Sequence, residues 1–202
     1  MRAYLLIPEE RKSEILECGA DMSLARDFVC KVTQGNGRAF LCRLNPADYA
    51  PEEISDGLCM VKAELNLVRA FVAEGTFLDA SPEDPSGDCW RAFQDSFLPA
   101  AEYRLGMYRR PLCLIASPIL PEALEDYDSA RDEAVCYPDS ETLYTDRRFE
   151  EALEQAPELK EKLLADYCRG LAEQGRAVCR SAGALKLYET EDKKWSYLTG
   201  KE

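Results

Sequence analysis

Histidine is absent from this 202-residue chain. Without imidazole there is no Ser–His or Cys–His nucleophile, no histidine general base and no ordinary catalytic zinc or iron site. Carboxylates, Tyr, Lys, Arg, thiols and metals held by oxygen remain. Paired cysteines are also missing. The nine cysteines (18, 30, 42, 59, 89, 113, 136, 168 and 179) are never closer than eleven positions, so no CxxC pair exists for a zinc or redox motif. Most sit in apolar runs such as "LCRL", "GLCMV" and "PLCLIA", where a free thiol acts as a small core hydrophobe. We therefore expect neither structural disulfides nor bound metal.

Long apolar runs are absent as well. No stretch approaches the roughly 18 residues of a membrane span. The N-terminal "RAYLLI" is too short for the core of a signal peptide and reads as a strand. These features predict a soluble, cytoplasmic protein without membrane contact. Positive charge is scarce: 25 Lys and Arg stand against 38 Asp and Glu, a net charge of −13, with a pI near 4.6. That argues against broad nucleic-acid binding, which needs clustered cations to neutralise phosphates.

What is present is the composition of a globular protein, 46% hydrophobic and 31% charged. "RAYLLI" leads into "PEERKSEILECG", where Pro8 suits a first helical turn and Gly19 its close. A second short helix is predicted over 24–33. "RAFLCRLNP" alternates as a strand, and "LCMVKAELN" puts Cys59, Val61, Ala63 and Leu65 on one face, with Lys62, Glu64 and Asn66 on the other. "LVRAFVAEG" and "LCLIA" read as further strands. Trp90, Phe93 and Phe97 recur at helical spacing. Asp146 is predicted to cap a helix running through Gln155, and Pro157 to open the longest helix, striped by Leu159, Leu163, Tyr167 and Leu171. "ALKLYETEDKKWSYL" reads as a terminal hairpin.

The order is not a regular βαβα alternation. It predicts an α+β fold with a mixed or antiparallel sheet of about five to seven strands, helices packed on it, a long C-terminal helix and a terminal hairpin. The expected domains are 1–156, the α+β domain, and 157–202, the helix and hairpin packed on it.

Two charge features stand out. "YRLGMYRRPLC", Tyr103 to Cys113, concentrates three arginines and two tyrosines just before a buried strand. Arg109 and Arg110 are placed to grip a phosphate or carboxylate, and Tyr103 and Tyr108 to stack on a ring. The alternative is that these arginines pair with the acidic segment 122–158, whose net charge is −10. That segment would also suit a basic protein partner. The acidic loop 79–88 and the turn "TQGNGR" match neither a calcium loop nor a phosphate cradle.

The succession "AYLLIPEERKSEILECG", "RAFLCRLNP", "CMVKAELNLVRAFVAEG" and "SETLYTDRRFEEALE" resembles the layout of ADP-ribosyltransferase-like folds, nearest to their DNA-modifying branch. The resemblance implies NAD as cofactor. It also implies a catalytic glutamate followed by a short strand, which falls on Glu141 in "SETLY", with Arg109 or Arg110 holding the pyrophosphate. Where such proteins carry a His or Arg in the first strand, this chain offers Arg2 and Tyr4. Two readings follow: a binding module for an anionic small molecule, a nucleotide or a protein partner, or an ADP-ribosyltransferase-like enzyme or inactive relative.

Overall fold

A computed structural model of the chain describes residues 1–33, 37–80, 87–132, 139–190 and 192–199. The chain divides into two compact units, residues 1–145 and 146–202.

The first unit begins with β1 (Arg2–Pro8), one 3-10 turn, and α1 (Lys12–Cys18), closed by Gly19 as its sequence predicts. There follow β2 (Arg26–Asp27), β3 (Arg38–Arg43), β4 (Leu58–Glu64), β5 (Ala70–Glu74), α2 (Thr76–Ala80), α3 (Asp88–Asp95), β6 (Leu98–Pro99), β7 (Pro111–Ile115), β8 (Leu124–Asp126) and α4 (Ser129–Asp132). The first turns of α5 (Ser140–Gln155) complete it.

The architecture is α+β. The main sheet has eight strands in the order β6-β5-β7-β3-β1-β4-β8, with β2 beside β3, and each of its strand pairs is antiparallel. It is slightly larger than expected because β2 and β6 are two-residue strands that leave little trace in sequence.

Both faces of this sheet are covered at its centre, which is why β7 is buried at all five positions. One face carries Leu5, Ile7, Val61, Val72 and Ile115 against Ile15 of α1 and Ile119. The other carries Ala39, Ala73, Leu112 and Leu114 against Phe93 of α3 and Phe97, which follows just beyond the end of that helix. A fully buried aliphatic or aromatic side chain contributes about 1.5–3 kcal/mol, so these two layers hold the unit together.

The helix predicted over 24–33 does not form. The Thr33 hydroxyl donates to Phe28 O at 2.6 Å and accepts from Cys30 N at 2.9 Å, and these local bonds compete with a helix ladder. The core of "TQGNGR" and most of loop 79–88 fall outside the described residues.

The second unit holds the rest of α5, α6 (Lys160–Glu173), β9 (Ala177–Ala182), β10 (Leu185–Thr190) and β11 (Ser196–Thr199). The terminal hairpin is present as β10–β11, and β9 extends it to a three-stranded antiparallel sheet. At 16 residues α5 exceeds the 14 of α6, so the latter is not the longest helix. Its buried face is centred on Ala165, Cys168 and Leu171, while Leu159 stays half-exposed.

Asp146 is not a cap. The helix starts six residues earlier, where the Asp139 side chain accepts from the Thr142 amide at 2.8 Å. Asp146 is buried and accepts from the Tyr167 hydroxyl at 2.6 Å and from Lys194 Nζ at 3.2 Å. Among the described residues, no helix is long and apolar enough to cross a membrane.

Candidate functional site

Segment 103–113 enters β7 as its sequence predicts, but its residues part ways. Tyr103 is buried, and its ring packs on that of Tyr108 at 5.4 Å. The Tyr108 hydroxyl donates to Ser96 O. Burial pushes both phenols above their ordinary range. The rings thus pack on each other at a tilt of 40°. Gly106, with φ of +80°, supplies the turn that folds one tyrosine back on the other.

Arg109 and Arg110 remain exposed. Their backbone amides donate to the two oxygens of Glu74, at 2.7 and 3.0 Å, and Thr76 Oγ1 donates to the same carboxylate at 2.7 Å. The anion held by this stretch of backbone is the protein's own. The Arg109 side chain donates to Glu141 Oε1, at 2.9 Å through Nε and also through an Nη. This pairing lifts the guanidinium further above its ordinary range.

Glu141 lies in the first turn of α5, so "SETLY" is helical and the strand expected after the glutamate is not there. Thr142 and Leu143 follow Asp139 and Ser140, whose capping chemistry favours a helix start over a strand. Glu141 and the arginines share a pocket of about 190 Å³ lined by Arg43, Arg109 and Arg110 on one side of the charge balance and Asp48, Asp139 and Glu141 on the other. Asp48 is pushed up by burial, although the Ser140 hydroxyl and amide donate to it at 2.6 and 2.8 Å. Arg43 reaches Glu53 at 3.1 Å and lies over the Tyr49 ring. Guanidinium and carboxylate largely compensate each other here.

The same holds for the acidic segment 122–158. Asp126 pairs with Lys12 at 2.6 Å, Glu125 with Arg2 at 3.4 Å, and Glu151 with Arg147 and Arg148. Much of its charge is spent on local partners.

A larger cleft of about 830 Å³ lies across the 45–48 turn from this pocket. Tyr4, Leu44, Tyr103, Leu105 and Leu143 give it an apolar wall. Arg2, Glu125, Arg131 and Asp132 make its polar end. Behind that end sits Lys62 of β4. Alternation placed Lys62 opposite the core, yet it is 1% exposed. Its Nζ donates to both oxygens of Asp132 at 3.1 and 3.0 Å and lies 3.4 Å from Glu125. Burial works against the Asp132 charge, but the Asp128 amide and Lys62 prevail and hold the carboxyl below its ordinary range.

Sequence reasoning missed this network because its members come from β1, β4, β8 and α4. The available signal was the aromatic stripe of α3, which requires a second covered sheet face. Among the described residues no group of three or more His, Cys, Asp or Glu is arranged to hold a metal ion. The eight described cysteines are free thiols.

Compared with known protein families, characterised proteins and solved structures, the chain has no match.

Proposed function

We propose that the protein is a binding module whose ligand is a small amphipathic anion seated in the larger cleft. The observation that carries this reading is the cleft itself: about 830 Å³, apolar along one wall and closed by arginines and carboxylates at one end. Ligand sites are concavities of this size, mainly apolar, with a few convergent polar groups. Tyr103 belongs to the cleft wall, whereas Arg109 and Arg110 belong to the smaller charge-balanced pocket.

A calorimetric and thermal-shift screen of aromatic and aliphatic anions, nucleotides included, tests it. Binding is expected in the wild type and in Arg109→Ala, and its loss in Leu105→Glu, an exposed position where a charge leaves the fold intact. A ligand that binds Leu105→Glu as well as wild type would remove the cleft from consideration, as would a screen without any hit.

One observation supports a second, enzymatic reading. Glu141 shares its pocket with Arg43, Arg109 and Arg110, as a carboxylate beside a ribosyl cation and arginines on a pyrophosphate would. Its helical setting and its bond to Arg109 weigh against it. NAD turnover by the wild type, lost in Glu141→Gln, would favour this reading. No turnover at high protein concentration would end it.

A further inference from the structure

Burying a lysine as a cation is costly unless it is paired and hydrogen-bonded. Among the described residues, Lys62 meets that condition through groups carried in from elsewhere: Asp132 on α4 and Glu125 on β8. Asp132 is 9% exposed, and its Oδ2 also accepts from the Asp128 amide at 2.9 Å, so one carboxylate closes a turn and covers the lysine. Both carboxylates line the cleft and Lys62 does not. An ammonium thus lies directly behind the cleft's polar end, screened by two anions. Next to them Arg131 is 67% exposed, with its guanidinium 3.8 Å from Asp132.

Resting on the binding reading above, we propose that Asp132 is a built-in stand-in for the ligand's anionic group. A carboxylate or phosphate arriving at the polar end exchanges with Asp132 on the Lys62 ammonium, and Arg131 becomes its outer contact. The exchange keeps Lys62 paired before and after, and the released Asp132 carboxylate, which lines the cleft, turns out into solvent, so no buried charge is left uncompensated. Arg131 gives up only a long, solvent-screened contact by turning to the ligand.

The arrangement also sets selectivity. The internal carboxylate is present at a high effective concentration, so a bare anion competes poorly with it. Only a ligand that also fills the wall of Tyr4, Leu105 and Leu143 gains enough to displace it. The unliganded protein is then self-satisfied, and the ligand class is an anion on an apolar body.

Asp132→Asn tests this, since it keeps shape and an acceptor oxygen but removes the competing charge. The probes are phenyl phosphate, phenylacetate and neutral benzyl alcohol, measured by calorimetry. At least one anion is expected to bind Asp132→Asn about tenfold more tightly than wild type, within the usual range of coupling between sites. Benzyl alcohol should bind both equally, and the anion's gain should vanish in Lys62→Met/Asp132→Asn. A gain for phenyl phosphate alone identifies a phosphate ligand, and for phenylacetate alone a carboxylate.

No gain for either anion, or a gain that survives Lys62→Met, overturns the exchange even where benzyl alcohol shows the cleft to be a binding site. Absence of binding by all three probes overturns the cleft reading and the exchange together. Should Asp132→Asn not fold alone, its refolding yield should rise with either anion, and a yield indifferent to both overturns the proposal.

Discussion

Replacing Lys62 by Met should be among the most destabilising single changes in the first unit, although methionine is of similar length and fully apolar. The reason lies in what is left behind. Lys62 is 1% exposed and Asp132 9%, with Nζ 3.0 Å from Oδ2. Removing the cation strands a nearly buried carboxylate, which costs roughly 3–5 kcal/mol. Lys62→Met/Asp132→Leu removes both charges and should lie within about 1 kcal/mol of wild type or above it, because well-packed apolar residues often replace buried pairs at no loss.

The cycle therefore predicts a large coupling between the two sites. By contrast Arg109→Met, at a pair whose side chains are 54% and 48% exposed, should leave the transition where it is, because solvent screens such pairs. Urea unfolding followed by Trp90 fluorescence in a Trp195→Phe background reports on the first unit alone, which avoids assuming one transition for both units. A Lys62→Met shift below about 1 kcal/mol would refute the reasoning, because it would mean that water reaches the pair.

Four further outcomes are expected. The Asp132 carboxyl is held low in the folded chain, so its stabilising contribution is full above the unfolded value of about 3.9 and is lost as pH falls through the lower folded value; the stability gap between wild type and Asp132→Asn should be constant above about pH 5 and narrow only as the pH falls below about 4. A thiol reagent on native protein should label exposed Cys18 and Cys179 first and Cys42 and Cys113 last, since burial pushes Cys113 up to about 12 and Cys42 well above its ordinary range; denatured, unreduced protein should show nine thiols. Gly19→Ala should cost at least about 1–3 kcal/mol by thermal or urea unfolding, because φ is +88° and a Cβ would meet Ile119 O at 2.5 Å. Phe93→Ala should cost about 3–5 kcal/mol, as Phe93 is fully buried beside Phe97 and Trp90, whereas Val29→Ala, at an exposed position, should barely register.

The strands of the first unit were legible where residues alternate over a full strand length, as in β3 and β4, or where a short apolar run stands alone, as in β1 and β7. β1, β3, β4, β5 and β7 all lie where hydrophobic patterning puts them, and Gly19 closes α1 because few other residues adopt its backbone conformation. The pattern failed where local chemistry overrode propensity. Thr33 drew the 24–33 segment into hydrogen-bonded turns, and Asp139 set the start of α5 six residues before Asp146. Tyr103 and Tyr108 are polar-tipped and directly adjacent to charged residues, so sequence alone could not tell a stacking surface from a core pair.

The sequence by itself determined the excluded chemistry, the α+β class and the concentration of arginine before β7, because these depend on residue identity and short-range order. Tertiary structure alone decided which charges are used up. Glu74 fills the amides of Arg109 and Arg110 across 35 and 36 positions, and Asp132 reaches Lys62 across 70. A lysine on the polar side of an alternating strand is exposed or buried according to what packs over that face. Only the folded chain brings α4 and β8 there, turning Lys62 from a solvated surface residue into a paired cation behind a cleft.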